Sequence, residues 1–257
     1  INQTAITQSQ QILRDQFPLL AQSDIEKIPE LLRNPVKQGF RSILYVAEDA
    51  RQRVQGFALV SHEANLHFCL LDYISAAKRT TGGGIGGALY EHVREEAATM
   101  GVLGIFFECL PDDPALCKDP EILKQNQSRL KFYEKYGALP IINTAYETPL
   151  KPEEDNPPYL VFDPLGQDAP LSSIAARKIV RAILERRYGE LCSPEYISMV
   201  VKSFKDDPVR LRALRYKRKP TAASKRLSEP AKCWLGAPVA GSATPSSILD
   251  AAPASAE

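Results

Sequence analysis

The stretch Arg79-Thr80-Thr81-Gly82-Gly83-Gly84-Ile85-Gly86-Gly87-Ala88-Leu89 follows an apolar run at 66–77 and opens a segment at 85–100 with apolar residues at helical spacing. That order predicts a strand, a glycine-rich turn and a helix N-terminus. The first N–H groups of a helix have no intrahelical acceptor, and the helix dipole places positive potential on them. Glycines without a Cβ allow an anion to approach the backbone closely. The stretch therefore reads as a site for a phosphate or pyrophosphate group. The alternative is a plain strand-to-helix connection.

Two familiar phosphate loops do not account for it. A Walker A loop needs Gly-Lys followed by Ser or Thr, and no Lys follows these glycines. Gly82-Gly83-Gly84-Ile85-Gly86-Gly87 satisfies G-x-G-x-x-G by letters, and Glu108 stands about 20 residues on. The dinucleotide-binding loop, however, follows the first strand of its fold, and at least three sheet-like segments precede this one.

A second pattern lies downstream, Asn126-Gln127-Ser128-Arg129-Leu130-Lys131-Phe132-Tyr133-Glu134-Lys135-Tyr136-Gly137-Ala138. Together, Arg79-x-x-Gly82-x-Gly84 and the Asn126, Tyr133 and Gly137 spacing resemble the two cofactor motifs of the GNAT N-acetyltransferases over about residues 43–162. The chain departs from that family at Thr81, where Arg is frequent, at Arg129, where Ala is usual, and at Ala138, where Phe is usual. The resemblance implies an α+β fold, a mixed and mostly antiparallel sheet flanked by helices. It also implies acetyl-CoA as acyl donor. Backbone groups of Ile74, Ser75 and Ala76 would pair with the pantetheine arm. Arg79, Gly82, Gly83, Gly84, Ile85, Gly86 and Gly87 would hold the pyrophosphate, and Asn126 would hydrogen-bond the arm. Tyr133 would protonate the departing thiolate; otherwise it packs its ring on the sheet, as Phe132 and Tyr136 suggest.

The chain carries 32 Lys and Arg against 31 Asp and Glu, but unevenly placed. Residues 1–170 hold 16 basic and 23 acidic residues, and residues 171–219 hold 13 and 5. The basic segment is expected to pair with the acidic body or with an acidic protein partner; it has no DNA-binding motif or interleaved aromatics, so nucleic acid is not expected. No apolar run approaches the ~20 residues of a membrane span. Five cysteines without C-x-x-C spacing fit reduced thiols in a cytoplasmic setting. The chain starts at Ile1 rather than Met, which leaves room for an upstream segment.

Working outward, helices are expected at 7–17 and 23–32, the second capped by Ser23 with Glu26 three residues on. An antiparallel pair is expected at 41–48 and 54–63, followed by a strand at 66–75. Beyond the turn come a helix at 85–100, a buried strand at 102–110, a helix at 122–136 and strands at 138–147 and 159–162. Helices at 172–188 and 194–204 form a basic C-terminal extension, with Ile174, Ile179, Ala182 and Ile183 as docking positions. The tail from 217, rich in Ala, Ser, Pro and Lys, reads as disordered. This gives an acetyltransferase-like unit at 1–165, a helical extension at 166–216 and a tail at 217–257.

Acyl transfer to an amine needs a proton acceptor. Glu108, a carboxylate interrupting an apolar strand, is the first choice, and Asp72 the second. Asp112, Asp113, Asp119 and Glu121 would form a rim attracting a cationic amine. His62, His67 and His92 lack metal-ligand spacing. The sequence thus predicts transfer of acetyl from acetyl-CoA to a primary amine of a small molecule or protein. The alternatives are an acyl-CoA-binding sensor or scaffold of the same fold without turnover, and a nucleotide-binding module.

Overall fold

The computed structural model describes residues 2–18, 20–34, 39–78, 84–149, 157–189 and 191–216. Arg79, Gly82 and Gly83 of the glycine turn, and the tail from 217, lie outside the described residues.

Two helices, α1 (Gln3–Gln16) and α2 (Gln22–Arg33), precede three strands, β1 (Arg41–Glu48), β2 (Val54–Glu63) and β3 (Phe68–Ala76). Helix α3 (Ile85–Thr99), β4 (Ile105–Cys109), α4 (Pro120–Glu134), β5 (Leu139–Pro140) and β6 (Tyr159–Asp163) follow, and then α5 (Ser173–Arg187) and α6 (Pro194–Ser203). The strands form one sheet in the order β1-β2-β3-β4-β6-β5. All neighbours are antiparallel except β3 and β4. This is the α+β fold with a mostly antiparallel sheet that the sequence implied.

Local chemistry sets the boundaries. Asp49 turns the chain between β1 and β2 by accepting the N–H groups of Arg51 and Arg53 on Oδ1, at 2.8 and 3.0 Å. Ser172 caps α5 and Ser193 caps α6 through the third residue onward, as N-cap serines do. Gly101, at φ +67°, ends the turn after α3. The expected cap Ser23 is not one: α2 starts at Gln22, Ala21 precedes it, and no side chain caps it.

The sheet is covered on both faces, so a central strand such as β2 is buried along nearly its whole length rather than at alternate positions. One core gathers α1, α2, α3 and α4 residues with Phe57, Leu59, Ile105 and Phe107. The other packs Phe68, Phe106, Leu160 and Phe162 against Ile179, Ile183, Val200 and Phe204 of α5 and α6. Ile174 does not dock; it is exposed.

The strand expected at 138–147 is reduced to Leu139–Pro140. Pro140 lacks a backbone donor and sits in the edge strand, and Asn143 is left-handed at φ +61°. The chain turns away there, and Tyr146 folds back towards β4.

The basic segment pairs with the body. Arg186 bonds Glu63 at 3.1 Å, Arg187 bonds Asp72 at 3.0 Å, and Arg212 and Arg215 close on Asp112 at 2.7 and 2.9 Å. No helix among the described residues is long and apolar enough to cross a membrane.

Candidate active site

The parallel pair β3–β4 is joined only at Cys69–Ile105 and Leu70–Phe106. Beyond these the two strands part, and a cavity of about 690 Å³ opens between them. Leu71 to Ile74 of β3 form one wall and Phe107 and Glu108 of β4 the other, with Tyr133 and Arg129 of α4 beside them. The last turn of α5 and the residues after it, Phe17 just past α1, and residues of α2 complete the lining. The edge of β3 facing β4 carries no ladder bonds to β4 past Leu70, which leaves room there for an extended, amide-bearing ligand, although the Ala76 carbonyl already accepts from the Gln16 amide at 3.0 Å.

The same strand leads towards the glycine turn. Gly84 adopts φ +75°, ψ 0°, and is the N-cap of α3, with no side-chain cap. A Cβ at Gly84 would meet nothing within 4 Å. Ile85, Gly86 and Gly87 therefore start a helix whose first donors are not taken by a capping side chain, as an anion site requires.

Glu108 stands where the strands part. Tyr146 donates its hydroxyl to Oε1 and Tyr188 donates to Oε2, each at 2.7 Å. Burial pushes this carboxyl above the usual glutamate value, and the two tyrosine hydroxyls pull against that. A carboxyl so placed releases and takes up protons closer to neutrality than a solvated glutamate. Tyr133 is 2 % exposed and packs its ring on Phe107, with centroids 4.4 Å apart, and on Tyr90 at 4.9 Å. It lines the cavity as well, so packing and a place at the cleft go together in this residue.

The other candidates distribute differently. Ile74 lines the cavity, and Ser75 and Ala76 continue β3 beyond it. Asn126 is not at the cleft: it is 1 % exposed and its Nδ2 donates to the carbonyl of Pro111 at 3.0 Å. Asp72 neither faces solvent nor offers a free carboxylate. Its side chain is paired with Arg187 and accepts from the Ser61 hydroxyl at 2.6 Å. Burial pushes the Asp72 carboxyl up while Arg187 and Ser61 pull it down, and the Asp72 charge holds Arg187 firmly protonated.

The acidic rim is also largely committed. Asp112 is buried against Arg212, Arg215 and Tyr216. Asp119 caps α4, accepting from the N–H groups of Glu121 and Ile122. No group of three or more His, Cys, Asp or Glu residues that could hold a metal occurs among the described residues.

Sequence reasoning missed Tyr146, Tyr188 and Arg187. Nothing in their immediate neighbours marks them, since their partners lie far along the chain. Arg129 alone carried a signal, as the residue standing where the resembling family has Ala.

No protein-family model matches the chain, and no curated protein matches it. Solved structures do. The chain is similar to an aminoglycoside 6'-N-acetyltransferase complexed with coenzyme A, at 19 % identity, over 65 % of this chain and 94 % of that one, with a TM-score of 0.49. It is similar to the ribosomal-protein-S18-alanine N-acetyltransferase from Escherichia coli, at 14 % identity, over 66 % and 93 %, with a TM-score of 0.47. It is also similar to an aminoglycoside 6'-N-acetyltransferase from Enterococcus faecium, at 18 % identity, over 65 % and 94 %, with a TM-score of 0.48. All three are N-acetyltransferases by name.

Proposed function

We propose that the chain transfers an acetyl group from acetyl-CoA to a primary amine bound in the cleft between β3 and β4, in a cytoplasmic setting. The observation that carries this reading is Glu108, a half-buried carboxylate held by two tyrosine hydroxyls where the parallel strands part. The open edge of β3 beside it leads to a glycine-rich, uncapped helix N-terminus.

Acetyl-CoA supplies the acyl group as a thioester. The strand edge at Ile74, Ser75 and Ala76 suits the amides of its arm, and the turn with Gly84, Gly86 and Gly87 suits its phosphates. Glu108 takes a proton from the acceptor ammonium, directly or through one water, and so leaves a neutral amine. Tyr133 gives its hydroxyl proton to the sulfur as it departs. Holding both partners in one cleft removes much of the entropic cost of their meeting.

The test is twofold. Calorimetry on the full chain should show acetyl-CoA binding more tightly than ATP or NAD, and free thiol should appear when primary amines are added. Binding without turnover across an amine panel would leave an acyl-CoA sensor, and preference for ATP or NAD would sink the reading. Tyr133→Phe should lower kcat roughly 10²-fold with little change in the KM for acetyl-CoA; full activity would leave Tyr133 a packing residue.

A further inference from the structure

Eight charged side chains line the cavity, and seven of them have partners among the described residues. Asp24 pairs with Lys27 at 3.5 Å, Asp72 with Arg187 at 3.0 Å, and Glu185 with Arg181 at 3.1 Å. Arg186 bonds Glu63 and the carbonyl of Gly39, and Glu108 accepts from its two tyrosines. Arg129 is the eighth. It is half-buried and makes no hydrogen bond or ion pair among the described residues.

We propose that Arg129 binds a carboxylate of the acceptor, so that the acceptor is an amino-carboxylate, carrying a primary amine for Glu108 and an anion for Arg129. This rests on the acetyl-transfer reading above. Arg129 lies four residues before Tyr133, and residues four apart share one face of a helix. It therefore stands one helical turn from the residue assigned to the departing sulfur. Acyl-CoA has no charge at that end: its thioester and arm amides are neutral, and its phosphates belong at the N-terminus of α3. An anion near Arg129 must come from the other substrate. The guanidinium is a planar fork that matches a carboxylate with two parallel N–H···O bonds. An unpaired cation in a partly desolvated wall also rejects an acceptor that is only cationic, which gives selectivity as well as affinity.

The probes are β-alanine, 4-aminobutyrate, 6-aminohexanoate and L-lysine, each paired with its own carboxamide, which keeps the amine and the length but removes the charge. Binding is measured by calorimetry on the full chain with coenzyme A present. At least one carboxylate should bind roughly 10- to 100-fold more tightly than its carboxamide, the range for hydrogen bonds to a charged group. Arg129→Gln should bring the pair to about the same affinity by weakening the carboxylate alone, and Arg129→Lys should restore part of the difference. An unchanged affinity for coenzyme A shows that each variant is folded.

Equal binding of every pair, or a preference that survives in Arg129→Gln, overturns the proposal. Carboxylate preference without acetyl transfer upholds Arg129 and defeats the catalytic reading. Transfer to amines with no carboxylate preference does the reverse.

Discussion

Glu108 and Asp112 lie four residues apart at and just past the end of β4, Asp112 buried and Glu108 half-buried, and both are held by side chains from later in the chain. Their proton affinities go in opposite directions. Asp112 meets Arg212 through both carboxylate oxygens, at 2.7 and 3.1 Å, and also meets Arg215 and the Tyr216 hydroxyl. Burial pushes its carboxyl up, but these bonds and charges together bring it below the usual aspartate value. Glu108 meets neutral hydroxyls, and burial wins. Burial alone therefore does not decide whether a carboxylate is structural or reactive; the charge of its partners does. A carboxylate locked by two cations is a poor proton acceptor, and one held by two phenols keeps its proton exchange while losing its freedom to move.

The contrast breaks most sharply at Glu108. Glu108→Gln keeps the shape and removes the proton acceptor, so kcat/KM for amine acetylation at neutral pH should fall roughly 10²- to 10⁴-fold. The loss should shrink as pH rises, because more acceptor amine is then already neutral. A loss that is flat with pH would assign Glu108 to binding or packing. Its stability effect has a definite sign. The raised carboxyl makes ionised Glu108 a burden to the fold, so the wild type gains stability as pH falls through that raised value and the Gln variant does not.

Asp112→Asn should leave the chemistry and cost the fold. It leaves Arg212, 14 % exposed in its side chain, without an anion. Breaking a buried pair from one side costs about 3 kcal/mol, at the low end of the range because Arg215 remains 41 % exposed and hydrated. Since the native Asp112 carboxyl is lowered, its contribution is complete above the ordinary aspartate value and fades as pH falls through the lowered one. Denaturation midpoints of variant and wild type should therefore converge in acid. A constant gap would mean that shape rather than charge is lost.

The same pair of sites shows what could be read from sequence. The β3 strand, the start of α3 beside Gly84 and the β1 and β2 boundaries are local patterns, fixed by neighbours within a few residues. Glu108 was visible too, as a charge in an apolar strand. What surrounds it was not. Tyr188 reaches Glu108 across 80 residues and Tyr146 across 38, the latter from a segment whose apolar letters read as a strand until Pro140 and Asn143 turn it. The acidic cluster at Asp112 and Asp119 looked like a steering rim, because a sequence shows charge but not the cation or the helix N-terminus that uses it. Asn126 looked like a cofactor ligand for the same reason; its spacing was right, and its amide is given to Pro111.

The finest test of the contrast is Tyr188→Phe, which should have the smallest effect. Phe keeps the ring in the second core and deletes only the donor to Glu108 Oε2. A hydrogen bond to the ionised form lowers a carboxyl's proton affinity, so losing it should raise the already raised value further. Activity requires the ionised carboxylate. The acid limb of the kcat/KM profile should therefore move to higher pH, while the plateau above it changes by less than about threefold. Tyr146→Phe, acting on Oε1, should shift the limb in the same direction. If the tyrosines only fill space, the plateau would drop and the limb would stay in place. If instead Glu108 were held as Asp112 is, by fixed charge elsewhere, neither phenol would move the limb at all. The direction of this shift thus separates a base tuned by neutral donors from a carboxylate locked into the fold.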